Sequence, residues 1–299
     1  MHRLIPTAHD LYFTGKHRDS GHLEELEKVF FTTLGLPNRT YKTTYHRRLD
    51  DLNALVAGYL PAARPLEVMD VAVSSGISTV EWLDALQSAG IECQMTAGDL
   101  SVSAFLISLG HPMRMLVDRS GHPLQLEVRG HAIRTPLRRR DAVRYALPMA
   151  LLRRATRRLL PDLAELRGME VLERRFGPWP LTCRPLKLVS PSLVGRHGLE
   201  VVEDNILLNK KYVHCFHVLR AANILNDSYF APDILSAMVA NLRTRLRDGG
   251  LLIVCRTDSQ GHNSGTLFSL DADRSFSVLA RLNEGSDIES LVLGLPAAR

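Results

Sequence analysis

Apolar residues in the first sixty positions fall at helical spacing. In "HLEELEKVF" (22–30) they recur three and four apart, so "GHLEELEKVFFTTLG" reads as a helix. Ser20 can cap it, Gly35 ends it and Pro37 stands just beyond. "TYHRRLDDLNALVAGYL" (44–60) reads as a second helix, stopped by "PAARP". Both helices are expected to cover the domain that follows.

The pattern then changes to short apolar runs separated by helical stretches. "LEVMDVAV" (66–73) predicts a buried strand, "STVEWLDALQSAG" a helix ending at Gly90, "IECQMTAGDL" a second strand and "SVSAFLISLG" a short helix. From Pro112 the alternation stops. "MRMLVDRSGHPLQLEVRG" predicts a hairpin turning at "RSGHP", followed by an arginine-rich helix and a Pro-rich return, "FGPWPLTCRP". Strand-like runs resume at "LKLVSPSLV", "LEVVEDNIL" and "HCFHVLRAANIL". The helix "PDILSAMVANLRTRLRDGG" follows, then "LLIVCRT" and two tail strands. Strands alternating with helices predict an α/β fold with a mostly parallel sheet. The expected organisation is a helical cover over 1–62, a core over 63–111 and 186–299, and an inserted hairpin-plus-helix subdomain over 112–185. Gly249 and Gly250 are read as a helix cap and turn.

Composition narrows the class without identifying it. The 299 residues are 45% hydrophobic and 23% charged, as in a soluble globular chain. No apolar run reaches the roughly 18 residues that cross a bilayer, and the start lacks the apolar core of a signal peptide. A cytoplasmic protein is therefore expected. The four cysteines form no CxxC pair, which argues against zinc and against a disulfide framework, so no metal is expected.

Candidate chemistry concentrates at "MDVAVSSGISTVEW" (69–82), a strand running into a helix through small residues. Small side chains let backbone N–H groups approach a ligand. The dinucleotide fingerprint needs small residues at i, i+2 and i+5, but counting from Ala72 puts Ile77 at the last of these. The spacing i, i+2, i+4 gives Ala72, Ser74 and Gly76, all small. "TAGDLS" places Asp99 23 residues after Gly76, at the end of the next strand. A carboxylate there can accept twice from a ribose, or it can cap a helix.

The acid Asp70 followed by Ala72, Ser74 and Gly76 resembles the S-adenosylmethionine (SAM) loop of class I methyltransferases, with Ala72 and Ser74 in place of two glycines. The resemblance covers roughly 66–110 and 187–256. It implies a Rossmann-like sheet, mostly parallel with the last strand antiparallel, that binds SAM and releases S-adenosylhomocysteine. It also implies cofactor contacts from Asp70, Ala72, Ser74, Ser75, Gly76, Asp99 and Leu100. Further contacts would come from Asp204 and Asn205 at the adenine, and from Arg220, which with Arg256 is also a candidate for a carboxylate or phosphate of the substrate. A surface turn accounts equally well for Asp204 and Asn205. "VSSG", "TAGDLS" and "RAANILNDSYF" are also similar to the chemotaxis-receptor glutamate methyltransferases. Their paired glutamates are replaced by "ISTVEW", so their substrate is not carried over.

Methyl transfer is an in-line displacement that mainly needs alignment and exclusion of water. Acceptor-side candidates follow the fourth and fifth strands, where ligands sit in open α/β sheets. Asn223, Tyr229 and Arg256 are candidates for holding the acceptor. Asn223, Tyr229 and His262 are candidates for the catalytic step, and His262 is the one base candidate.

The net charge of +5 is unevenly spread: Arg134 to Arg158 hold nine arginines against one acid, Asp141. On a helix starting at Pro148, Leu151, Leu152, Ala155 and Leu159 share one side, and Arg153, Arg154, Arg157 and Arg158 the other. Such a face is a solvated surface, or it meets an anionic membrane or an acidic partner. Membrane-peripheral attachment through these arginines is one expectation. Nucleic acid is disfavoured, because no stacking-aromatic motif accompanies the arginines. The leading reading is a SAM-dependent methyltransferase acting on a small or medium-sized acceptor, anionic or lipid-like. The alternatives are a non-catalytic methyltransferase-like module with a basic face and a nucleic-acid methyltransferase.

Overall fold

The computed structural model describes residues 5–14, 20–35, 46–110, 112–165, 170–208 and 210–296, with backbone alone at 20–22, 160 and 162–165. Pro37 and residues 36–45 lie outside them. Two short helices, Ala8–Phe13 (α1) and Ser20–Thr33 (α2), precede Asp50–Ala57 (α3). The chain then forms Leu66–Val71 (β1), Ile77–Ser88 (α4) and Cys93–Asp99 (β2). A run of hairpins follows: Ser103–Leu109 (β3), Met113–Asp118 (β4), Pro123–Val128 (β5) and His131–Arg134 (β6). Two basic helices come next, Arg139–Arg144 (α5) and Ala146–Glu165 (α6), then Leu172–Phe176 (β7) and Trp179–Lys187 (β8). The last elements are Leu199–Glu203 (β9), Phe216–Ala222 (β10), Pro232–Arg245 (α7), Leu246–Thr257 (β11), Asn263–Leu270 (β12), Phe276–Leu282 (β13) and Glu289–Leu293 (α8).

These elements fall into two compact units, residues 1–44 with 101–191 and residues 45–100 with 192–299. The division differs from the expected boundaries because α1 and α2 bury their apolar side in the first unit, not over the core. That unit is a six-stranded sheet in the order β6-β5-β4-β3-β8-β7, and every pairing given for it is antiparallel. Period-two alternation gives it two apolar faces. Ala104 and Leu106 pack with Leu11, Phe30 and Phe31 of α1 and α2. Phe105, Ile107 and Leu109 pack with Met149, Leu152 and Leu159 of α6.

Two predicted elements are corrected in this unit. "SVSAFLISLG" is strand β3, not a helix, because both of its faces meet an apolar layer and both of its edges are paired. The Pro-rich return is strand β8. Its Pro185 lies beyond the last residue paired with β7, Cys183, where the missing N–H costs no ladder bond on that side.

The second unit carries a seven-stranded sheet, β13-β12-β11-β10-β1-β2-β9. Strands β9, β2, β1, β10 and β11 run parallel. The last two strands join through antiparallel pairings, β11 with β12 and β12 with β13. This is the expected Rossmann-like class, and its order reverses between β1 and β10. Leu66 and Val68 face α3 and α4 through Leu52, Trp82 and Leu83. Met69 and Val71 face α7 and α8 through Leu235, Val239 and Val292. Gly249 and Gly250 do not cap a helix: α7 ends at Arg245. The register of β11 jumps from Leu246 opposite Phe216 to Leu251 opposite Val218, so the glycines lie in a bulge. Among the described residues no helix is long and apolar enough to cross a membrane.

Candidate functional site

The site of interest is the carboxyl end of β1 and β2, beside the point where the strand order reverses. In such sheets the crevice at that point is where ligands collect. β1 ends in a turn whose backbone alternates into the left-handed region: Ala72 at φ 56°, Ser74 at 61° and Gly76 at 80°. Two of these residues carry a side chain, which costs about 1–2 kcal/mol each in that region. The turn is therefore held by its neighbours. The Val73 N–H donates to the Gly98 carbonyl at 3.2 Å and the Gly76 N–H to the Val73 carbonyl at 2.8 Å. The Ser74 N–H donates to Asp99 Oδ2 at 2.7 Å.

Asp99 thus touches the turn, as the sequence led us to expect. Part of its carboxylate is spent on holding Ser74 in place. Next to it Leu100 is 57% exposed, an apolar shelf beside a half-buried acid. Ser75 is fully buried, and its Oγ has no hydrogen-bond partner among the described residues.

Other expected cofactor contacts are corrected. Asp70 and Arg220 do not reach into a ligand space: they sit opposite each other on β1 and β10 and bind one another. Arg220 Nε donates to Asp70 Oδ1 at 3.0 Å and Nη2 to Oδ2 at 2.6 Å, with both side chains almost wholly buried. Nη1 donates to Asn53 Oδ1 and Nη2 also to the Ser78 carbonyl, while the guanidinium lies 4.2 Å from the Trp82 ring centre. Thr79 Oγ1 donates to Asp70 Oδ2 as well. The acid and the arginine thereby clamp α3 and α4 onto the sheet.

Asp204 is likewise committed. Arg245 Nη1 donates to its Oδ2 at 2.6 Å, and both side chains have no exposed surface. Asn205 follows the surface-turn alternative, with Oδ1 accepting from the Leu207 and Leu208 N–H groups. Gly76 has a packing reason of its own. A Cβ there would lie 2.2 Å from Leu193 Cδ2, so Leu193 occupies the hollow that this glycine opens.

The acceptor-side candidates are not gathered into one constellation. Asn223 ties strand ends together: Oδ1 accepts from the Thr257 N–H at 2.7 Å and Nδ2 donates to Thr257 Oγ1 at 3.2 Å. Thr257 continues the chain to Asn263. Arg256 Nη1 donates to Asp287 Oδ2 at 3.1 Å. Tyr229 is exposed. His262 projects from the β11–β12 turn with its ring mostly in solvent, 3.5 Å from Asp258. The His262 and Gln260 N–H groups hold the Asp258 carboxyl below its usual range.

Sequence reasoning missed Leu193 and Arg245. Arg245 could have been found: it ends the helix "PDILSAMVANLRTR", Asp204 follows the strand "LEVVE", and a buried acid calls for a basic partner. No signal of that kind marks Leu193, an apolar residue in an apolar run.

An adenosyl ligand fits this site in part. The turn, Asp99 and Leu100 form a polar edge beside an apolar shelf. Asp70, Asp204 and Arg220 are spent on the scaffold, and Leu193 fills the space above Gly76.

No protein-family model and no curated protein matches the chain. Solved structures resemble it faintly. The PH0226 protein of Pyrococcus horikoshii is 13% identical with a TM-score of 0.35, covering 86% of this chain and 85% of that one. Phosphoethanolamine N-methyltransferase 2 of Haemonchus contortus, in complex with SAM, is 8% identical at a TM-score of 0.30, covering 72% and 28%. The cyclase SpnF is 12% identical at 0.33, covering 76% and 50%. The chain also spans only 34% of the citrinin polyketide synthase CMeT domain. The Haemonchus protein is named as a methyltransferase in complex with SAM, and SpnF is named for a different reaction. Likenesses of this size carry no weight for activity; the strand order and register carry the fold.

Proposed function

We propose that the chain is a SAM-dependent methyltransferase whose cofactor lies against the Ala72–Gly76 turn. The observation that carries this reading is the left-handed backbone at Ala72 and Ser74. Where glycine would be free of strain, this chain keeps the same path with side chains present. Strain held at a strand end beside an acid is a mark of a binding turn. Bound SAM would supply a sulfonium methyl group. Asp99 would accept from the ribose hydroxyls while still holding Ser74, and Leu100 would cover the adenine. The acceptor is small or medium-sized.

The position of Leu193 favours a second reading, a non-catalytic module that keeps the methyltransferase scaffold. A leucine seated over Gly76 stands where an approaching ligand needs bare peptide. Titration calorimetry of the full chain with SAM and with S-adenosylhomocysteine separates the two. Heat from both ligands at micromolar concentration supports the enzyme. No heat from either supports the module.

A further inference from the structure

The helical pair α5–α6 carries a charge pattern that neither the sheet nor the proposed site uses. On α6 the buried residues Met149, Leu152, Ala155, Thr156 and Leu159 lie on one arc against the six-stranded sheet. The opposite arc holds Arg153, Arg154, Arg157 and Arg158, all exposed. Arg138, Arg139, Arg140 and Arg144 continue the basic surface across α5. Among the described residues none of these eight is ion-paired with an acid.

Two large apolar side chains stand among these arginines. Val143 is 82% exposed and Leu147 69% exposed. Beside them opens a cavity of about 380 Å³ whose lining includes Pro136, Leu137, Ala146 and Met149, with Arg153 among the lining residues. The surface thus offers guanidinium groups for phosphates, together with apolar side chains and an apolar-walled recess.

We propose that this surface docks the protein on an anionic phospholipid bilayer. A bilayer presents both of the matching chemistries, phosphate groups at its surface and acyl chains just beneath. The arginines bind lipid phosphates, and Val143 and Leu147 enter the boundary between headgroups and chains. A nucleic acid supplies the phosphates but gives the two apolar side chains nothing to enter. The one aromatic side chain of α5–α6, Tyr145, is half-buried under Arg144, whose guanidinium carbon lies 5.4 Å from its ring centre.

The test is flotation of the full chain with vesicles of phosphatidylcholine, with and without phosphatidylglycerol. Wild type should float with the anionic vesicles only, and less as salt is raised. Each arginine near an anionic surface is worth roughly fivefold in partitioning. R153Q/R154Q/R157Q/R158Q should therefore lose binding by roughly 600-fold. V143S/L147S should weaken binding while keeping its salt dependence, and R47Q/R64Q, in the other unit, should float as wild type does. All these positions are exposed, so unchanged melting temperatures would show that the variants fold. Equal flotation with neutral vesicles, or retained flotation of the quadruple variant, overturns the proposal. Displacement from the vesicles by single-stranded RNA would also overturn it and assign the surface to nucleic acid.

Discussion

At the scale of the residue, the turn at 72–76 shows how a pattern can survive the loss of its usual side chains. Ala72 and Ser74 are legible from sequence as small. Their left-handed backbone is not, because alanine and serine seldom adopt it. The strain makes a prediction. Ala72→Gly removes a Cβ from a disfavoured conformation and gives back part of the gain as chain entropy in the unfolded state. It should stabilise the protein by about 1 kcal/mol or less, read as a rise of roughly 2 °C in Tm. Asp99 was read from sequence as a ribose acid near the turn, and its bond to the Ser74 N–H was not legible, since spacing shows proximity and not which atom accepts. Asp204 shows the limit more sharply. An acid after a strand reads as a ligand group until its buried partner is known. Asp204→Asn leaves Arg245 charged and enclosed, and should cost about 3–5 kcal/mol in urea unfolding. A residue that only bound adenine would leave stability nearly unchanged.

At the scale of the element, strand and helix positions in the core followed from periodicity, and errors arose where local pattern conflicted with long-range pairing. "SAFLISL" is apolar on both sides, which fits a buried helix as well as a strand. Pairing with β4 and β8 decided the matter. "RDGG" has the composition of a helix end, but the β10–β11 ladder absorbs it as a bulge. β10 also carries a histidine with a defined protonation state. His217 Nδ1 accepts from the Glu67 N–H at 3.0 Å, so the ring is neutral when folded. Burial, and secondarily Arg247, lower its pKa. The unfolded chain therefore binds this proton more readily, and the stability from neutral His217 is fully present above about pH 6.5. It is lost as pH falls through the lowered folded pKa. Unfolding measured as pH falls below about 6.5 should show a decline that His217→Asn flattens. A decline of the same slope in the variant would show that other groups cause it.

At the scale of the whole molecule, each of two units surrounds its own sheet: one six-stranded and antiparallel, the other seven-stranded and Rossmann-like. The second unit was legible because parallel strands alternate with helices along the chain. The membership of α1 and α2 was not, because an amphipathic helix shows that it has a buried side without showing which sheet covers it. The central claim concerns the second unit alone: the Ala72–Gly76 turn and Asp99 form an adenosyl site. Asp99→Asn tests it most directly, because asparagine Oδ1 can still accept from the Ser74 N–H and keep the turn. S-adenosylhomocysteine should bind wild type and bind Asp99→Asn about 10- to 100-fold more weakly, at an unchanged Tm, as expected for the loss of charged hydrogen bonds. Equal affinity of the two proteins, or no binding by wild type, would contradict the account.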